Sequence, residues 1–175
     1  RMQEESRKFH YIYISLTLLM IGLLLLTGLG VYDSITVAFS SLSTGGLSPY
    51  SDSIAHFNSR TVEWIVMIFM FLGGMNFFLQ FRAISKGGYK ELIKNSEFRA
   101  YVLIVIIASL LMFVFLSPDL TGMNTFDKIT TSAFQVISAM TGTGYTTIGL
   151  GGLVNMASMI LIIVMIIGAS SGSTS

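Results

Sequence analysis

Cysteine is absent from this sequence, so no disulfide framework and no thiolate nucleophile or ligand can operate, and no thiol records the redox compartment. Charge is scarce as well. Charged residues make up 11% of the 175 positions, against roughly 25% in an ordinary soluble domain, which excludes a surface built for water. No short apolar core ends in a small-residue cleavage site, so a secretory signal peptide is not indicated. No Ser-His-Asp set, carboxylate pair or phosphate-binding glycine loop is present, and catalysis has no candidate. The two histidines, His10 and His56, stand alone, and the eleven methionines follow no metal-binding pattern.

Apolar length is what the chain has instead. Runs cover Phe9–Val31, Val62–Phe81, Tyr101–Leu116 and Leu153–Ile167. A helix needs roughly 17–25 residues to cross a bilayer. The first two runs meet that length, and the last two do so with their neutral flanks. The chain therefore reads as a multi-pass membrane protein in contact with lipid, with no sign of nucleic-acid binding. Eight of the ten Lys and Arg precede the first run or lie between the second and third: Arg1, Arg7, Lys8, Arg82, Lys86, Lys90, Lys94 and Arg99. The positive-inside rule places those segments in the cytoplasm. Arg60 and Lys128 fall on the opposite face with Asp33, Asp52, Asp119, Asp127 and Glu63. These carboxylates are either ordinary loop residues or a rim that concentrates cations. Trp64, Tyr11, Tyr13 and Tyr101 sit where interfacial aromatics usually do. Asn76 and Gln80 suit a bond to a neighbouring helix better than a vestibule.

The segments fall into two similar units, residues 1–84 and 85–175, the second opening on a cytoplasmic linker. Each is an apolar helix, a shorter segment, a Gly/Thr stretch and a returning apolar helix, and both run the same way. Three anchors recur in order. Ala38-Phe39 matches Ala133-Phe134, with Ser43 and Ser138 four residues after each Phe. Ser43-Thr44-Gly45-Gly46-Leu47 matches Thr141-Gly142-Thr143-Gly144-Tyr145. Phe71-Leu72-Gly73-Gly74 matches Ile166-Ile167-Gly168-Ala169. The match needs a gap between the first two anchors, and three in order point to a repeat. The short segments Asp33–Leu42 and Thr125–Met140 start at residues suited to helix capping, Asp33 and Asn124 or Thr125. At 1.5 Å per residue, ten residues span about 15 Å, half the hydrocarbon core. Irregular backbone at that depth must be buried in protein or line water. An extended Thr-Gly backbone can aim carbonyl oxygens at a dehydrated cation, and the negative pole of the preceding half-helix favours one. Singly these glycines read as packing residues. Paired after two half-helices, they read as filter positions.

The stretches AFSSLSTGGLSPYSDSI and NSRTVEWIVMIFMFLGGMNFFLQF closely resemble the second repeat of the Trk/Ktr/HKT superfamily of potassium transporters, and SAFQVISAMTGTGYTT with IIGASSGSTS resembles the third. The resemblance covers nearly the whole chain. It implies an all-α membrane protein of helix–pore-loop–helix units, potassium-channel-like, with two of an expected four present and the chain an internal piece of a longer transporter. It implies potassium uptake across the cell membrane through a carbonyl-lined filter comprising Ser43, Thr44, Gly45 and Gly46 with Thr141, Gly142, Thr143, Gly144 and Tyr145. It further implies an intramembrane gate loop, Gly168, Ala169, Ser170, Ser171, Gly172, Ser173, Thr174 and Ser175, which the sequence cuts off in mid-motif. The ion is substrate, and no cofactor is expected. Partners implied are the remaining repeats, a second copy in a homodimer, and a cytosolic nucleotide-binding regulatory subunit. Leu47 and Tyr145 depart from the Phe usual in the family. Sodium permeability, a secondary transporter with broken helices, and a non-transporting scaffold stay open as alternatives.

Overall fold

The computed structural model describes residues 2–76, 79–80, 89–118, 120–149 and 155–169. Among them the chain forms α1 (Met2–Leu26), α2 (Val31–Leu42), a 3-10 turn at Ser53–Phe57, α3 (Arg60–Gly73), α4 (Tyr89–Lys94), α5 (Ser96–Leu116), α6 (Thr125–Met140) and α7 (Asn155–Ile167). The described residues form no strand. The helices α1, α2 and α3 pack together, α5, α6 and α7 form a second group, and α3 joins the two through its contact with α6.

The distribution of side chains inverts that of a water-soluble bundle. Helix α5 exposes Leu103, Ile106, Ile107, Leu110, Leu111 and Val114, and α7 exposes Met159, Ile162, Ile163 and Ile166. The short polar helices are buried instead. Ser34, Ser40 and Ser41 of α2 and Thr130, Thr131, Ser132, Gln135 and Ser138 of α6 are all buried. Burying a hydroxyl is tolerable when it has a hydrogen-bond partner. Many here find one on their own helix: Ser41 donates to the Val37 carbonyl at 2.6 Å, Thr130 to Phe126 at 3.0 Å and Ser132 to Lys128 at 2.8 Å. An apolar exterior around polar half-helices is the arrangement a lipid surround rewards.

Of the four expected spans, the structure gives one helix of sufficient length and apolarity among the described residues, Ser96–Leu116, while His10–Leu26 and Met156–Ile167 are shorter apolar stretches. The run Val62–Phe81 is not one helix. It stops at Gly73, where the chain breaks, and resumes helically by Leu79. The carbonyls freed there are met by Gln80, whose Nε2 donates to Leu72 O at 2.7 Å and Met75 O at 3.3 Å. Asn76 does reach a neighbouring helix, donating to Glu97 at 3.4 Å. Tyr101 is not an interfacial aromatic. It is 3% exposed, and its hydroxyl donates to the Phe71 carbonyl at 3.3 Å. Of the expected basic connection, residues 85–88 lie outside the described residues, and α4 comes directly after them.

Charges at the other end are largely spoken for. Arg60, at the start of α3, bridges Glu63 at 2.5 Å and Asp127 of α6 at 3.2 Å, and also donates to Thr131 at 3.2 Å. Lys128 donates to the Ser117 carbonyl beyond the end of α5 at 2.8 Å. Asp33 accepts from the Tyr50 hydroxyl at 3.1 Å, and that bond raises the Tyr50 pKa above its ordinary value. The Tyr50 ring in turn stacks on His56 at 3.6 Å, tying the 3-10 turn to the start of α2. Of the carboxylates on that face, Asp33, Glu63 and Asp127 hold structural bonds, and Asp119 lies outside the described residues.

Arg60 clamps the two units together through Asp127, and its loss would leave Glu63, 7% exposed, as a buried unpaired carboxylate. Arg60→Ala in the complete protein is expected to lower stability by about 1–2 kcal/mol, the cost of an orphaned charge discounted for the partial exposure of Arg60. Thermal unfolding in detergent measures it. An unchanged midpoint would show that the bridge is idle.

Candidate functional site

Both half-helices end within the protein, and they end alike. At α2 the Ser43 N–H reaches Phe39 O at 3.0 Å, Thr44 N reaches Ser41 O at 3.2 Å and Gly46 N reaches Ser40 O at 3.4 Å. At α6 the Thr141 N–H reaches Ile137 O at 2.9 Å, Gly142 N reaches Ala139 O at 3.1 Å and Gly144 N reaches Ser138 O at 3.2 Å. The torsions agree too: φ is 52° at Thr44 and 73° at Gly142, then 62° at Gly46 and 79° at Gly144. Such values favour glycine because a Cβ there strains the backbone.

This equivalence corrects part of the expected alignment. Ser43 corresponds to Thr141 as the residue closing the helix, and Ser40, not Ser43, corresponds to Ser138. No gap is needed between helix and loop. Instead α6, at 16 residues, is longer than α2, at 12, by about one turn at its start. The pairing of Ala38-Phe39 with Ala133-Phe134 therefore does not hold in space. Capping also differs: Gly30 and Asn124 occupy the N-cap positions without side-chain cap bonds, and Asp33 lies in the first turn of α2.

Along the second loop exposure alternates: Thr141, Thr143 and Tyr145 turn inward, while Gly142 and Gly144 face the open side. The first loop is similar, with Thr44 buried and Gly45 exposed. Among the described residues, the carbonyls of Thr44, Gly45, Gly46, Gly142, Thr143 and Gly144 accept no hydrogen bond. The Tyr145 carbonyl does, from Ser138 Oγ at 2.7 Å. Unpaired carbonyl oxygens beside two helix C-termini form a negative, oxygen-rich surface suited to a cation. No group of three His, Asp or Glu side chains converges among the described residues. The oxygen on offer is therefore largely backbone.

The loops touch. A side chain at Gly46 would drive its Cβ into the Thr143 carbonyl oxygen, so the first loop can approach the second there only as glycine. The Tyr145 hydroxyl donates to Leu47 O at 3.0 Å across 98 positions of sequence. Thr146 pairs with the 3-10 turn, donating to Ser53 Oγ at 3.2 Å and accepting from Ala55 N at 3.3 Å. Behind the loops stands the end of α3. A Cβ at Gly73 would meet Leu42 O at 2.9 Å, and one at Gly74 would meet Thr141 Cγ2 at 2.5 Å. Sequence reasoning treated Gly73-Gly74 as a repeat anchor and missed this packing; the adjacent small residues in an apolar run were the available signal. It also missed Ser40, which receives Gly45 N, Gly46 N and, at its hydroxyl, Leu47 N at 2.5 Å.

Of the gate-loop residues, Gly168 and Ala169 are described and Ser170, Ser171, Gly172, Ser173, Thr174 and Ser175 lie outside the described residues. Helix α7 ends at Ile167, and Gly168 has φ 70° with its N–H on Val164 O at 3.0 Å. A cavity of about 490 Å³ between α1, the end of α3 and α4 is lined by Leu16, Leu72, Met75 and Gln80 among others and does not reach the loops.

A family model described as TrkH, cation transport protein, matches residues 24–175. The Trk system potassium uptake protein TrkH of Vibrio parahaemolyticus is 31% identical over 99% of this chain and 36% of its own length. That of Escherichia coli K12 is 30% identical over the same shares. An uncharacterised cation transporter of Methanocaldococcus jannaschii is 33% identical over 94% of this chain and 32% of its own length. The crystal structure of the potassium transporter TrkH from Vibrio parahaemolyticus superposes with a TM-score of 0.93 at 30% identity, covering 100% of this chain and 38% of that one. The chain thus spans about a third of the length of the curated relatives it matches.

Gly46 and Gly45 separate two roles that adjacent glycines share in the sequence. Gly46→Ala in the complete protein is expected to lower yield and melting temperature sharply, since left-handed torsion alone costs about 1–2 kcal/mol and the Thr143 contact adds to it. At Gly45 an added Cβ meets Ser43 Oγ at 3.3 Å, a side chain able to give. Gly45→Ala should therefore be mild, and equal effects of the two changes would contradict the loop-to-loop contact.

Proposed function

We infer the function of this chain from one premise: it belongs to the TrkH family of cation transport proteins, a transport family and not a catalytic one. The protein to which it contributes takes up potassium across the cell membrane, with the ion passing along the two glycine-rich loops. The observation that carries this reading is the pair of half-helices that end identically within the protein, each followed by unpaired carbonyls. Thr44, Gly45 and Gly46 and Thr141, Gly142, Thr143 and Gly144 supply filter backbone from two of four repeats, residues 1–84 and 85–175, while the Ser43 carbonyl is held by Thr44 Oγ1 at 2.7 Å. Tyr145 contributes otherwise, because its carbonyl is taken by Ser138. The segment Gly168–Ser175 serves as a gate beneath the filter. Two further repeats complete the path, a second copy forms a homodimer, and a cytosolic nucleotide-binding subunit regulates it. No cofactor is required beyond the ion itself.

The topology that goes with this function puts residues 85–96 in the cytoplasm and 48–58 outside, by the charge asymmetry. Cysteine placed at Ser51 should react with an impermeant reagent on intact cells, and cysteine at Ser85 should not; the reverse pattern overturns the orientation.

Gly144 has φ 79° with open space where a Cβ would stand. Gly144→Ala should therefore leave the protein in the membrane yet turn a carbonyl away from the path. Rubidium uptake by the complete protein, in cells lacking other potassium uptake, is expected to fall about tenfold or more, corresponding to strain of about 1–2 kcal/mol. Undiminished uptake at matched expression would leave Gly144 a packing residue.

A further inference from the structure

The Tyr145 hydroxyl lies where two strands of distant sequence meet, and its geometry suits neither lipid contact nor ion binding. The side chain is 1% exposed. A buried tyrosine hydroxyl needs a partner, and this one takes the Leu47 carbonyl of the other loop at 3.0 Å. The residue's own carbonyl is turned to Ser138 Oγ at 2.7 Å, so its backbone is anchored to the end of α6 while its ring reaches out. Leu47 is held from the other side. Its N–H sits on Ser40 Oγ of α2 at 2.5 Å, while its side chain is 75% exposed and contributes little packing. One peptide segment is thus strung between the ends of both half-helices, through Ser40 on one side and Tyr145, itself held by Ser138, on the other. Next to it the loops already touch at Gly46 and Thr143.

We propose that the Tyr145 hydroxyl is a specificity-determining brace, which fixes the separation of the two glycine-rich loops and thereby sets the preference for potassium over sodium. This rests on the transport function proposed above. Carbonyl oxygens select between cations of unlike radius when the cage cannot contract around the smaller one. The carbonyls of Gly45, Gly46, Thr143 and Gly144 are attached to backbone whose spacing depends on a few contacts across the gap. The Gly46–Thr143 contact resists compression. The Tyr145–Leu47 hydrogen bond resists both separation and sliding, because it is directional. Together they define one distance. Removing the oxygen of Tyr145 leaves the ring packed and the loop free to shift, so a smaller ion gains coordination that it was denied.

The test compares wild type, Tyr145→Phe and Tyr145→p-aminophenylalanine in the complete transporter, reading rubidium and sodium uptake at matched expression with the melting temperature of each protein. In Tyr145→Phe sodium uptake is expected to gain about three- to tenfold relative to rubidium uptake, the worth of one hydrogen bond. The amino variant, which restores a donor at the same ring position, is expected to return the ratio toward wild type. A sodium-to-rubidium ratio unchanged in Tyr145→Phe, or lowered uptake of both ions in proportion to lost protein, overturns the brace and leaves Tyr145 a core residue. Should Tyr145→Phe fail to accumulate, the amino variant decides: wild-type selectivity with the donor restored supports the brace, and altered selectivity despite it overturns it. A wild type that carries neither ion overturns the transport function itself, whereas selective wild-type transport with an indifferent Tyr145→Phe overturns the brace alone.

Discussion

The architecture depends on how two short helices stop. A helix that ends at the protein surface leaves its last carbonyls to water, but α2 and α6 end among buried neighbours, where an unmet polar group costs several kcal/mol. Both resolve this in the same way. The chain curls back through a positive φ, so that N–H groups of the loop return to the carbonyls of Ser40 and Ser138. That turn fixes the rest of each loop. Once the N–H groups are used inward, the carbonyls of the next residues are left facing the other way, without partners. A row of free carbonyls is therefore the by-product of closing a helix end among buried neighbours, and carbonyl rows of this kind can coordinate a dehydrated cation.

The two loops are held beside each other by contacts from the rest of the chain. Helix α3 stands behind both loops with Gly73 against Leu42 and Gly74 against Thr141. Two adjacent residues without side chains let the end of one helix support the ends of α2 and α6 at contact distance. At the other end of α3, Arg60 joins Glu63 to Asp127 of α6. The long apolar α5 supplies the lipid-facing wall of the second unit, and Tyr101 ties its inner side to the carbonyl of Phe71. The packing thus explains why the strongest links between the two units lie at α3 and at the loops.

Much of this was legible in the sequence because it rests on local chemistry. Apolar runs separated by Gly/Thr stretches marked the helices, and the half-helix ranges agree with the structure within two residues at α2 and at both ends of α6. The two glycine-rich loops were also paired in the right register, Ser43 with Thr141 through Gly46 with Gly144. What failed depended on three-dimensional partners. The Ala-Phe anchors matched by letter, yet helices of unequal length put the extra turn at the start and left the ends aligned. Gly45 and Gly46 look alike on paper. Their difference lies in Thr143, which belongs to the other unit. Tyr101 at the edge of an apolar run has the sequence signature of an interfacial residue, and a backbone carbonyl exposed by the break in α3 drew it inward.

The end of α7 stands at the position of the second unit that corresponds to that break. Both return helices stop soon after packing past the loops, α3 at Gly73 and α7 at Ile167. In α3 the consequences are closed locally: Gln80 folds back to donate to the Leu72 and Met75 carbonyls, while Asn76 reaches Glu97 of α5. A helix end whose orphan carbonyls are answered by its own chain and by a neighbour has one preferred geometry. The residue at the corresponding point of α7 is Gly168, with φ 70° and its own N–H on Val164. The sequence after it, Ala169 to Ser175, holds no glutamine or asparagine able to return as Gln80 does. The first unit's break is thus held by a long amide, and the seven residues that follow Gly168 in the sequence contain none.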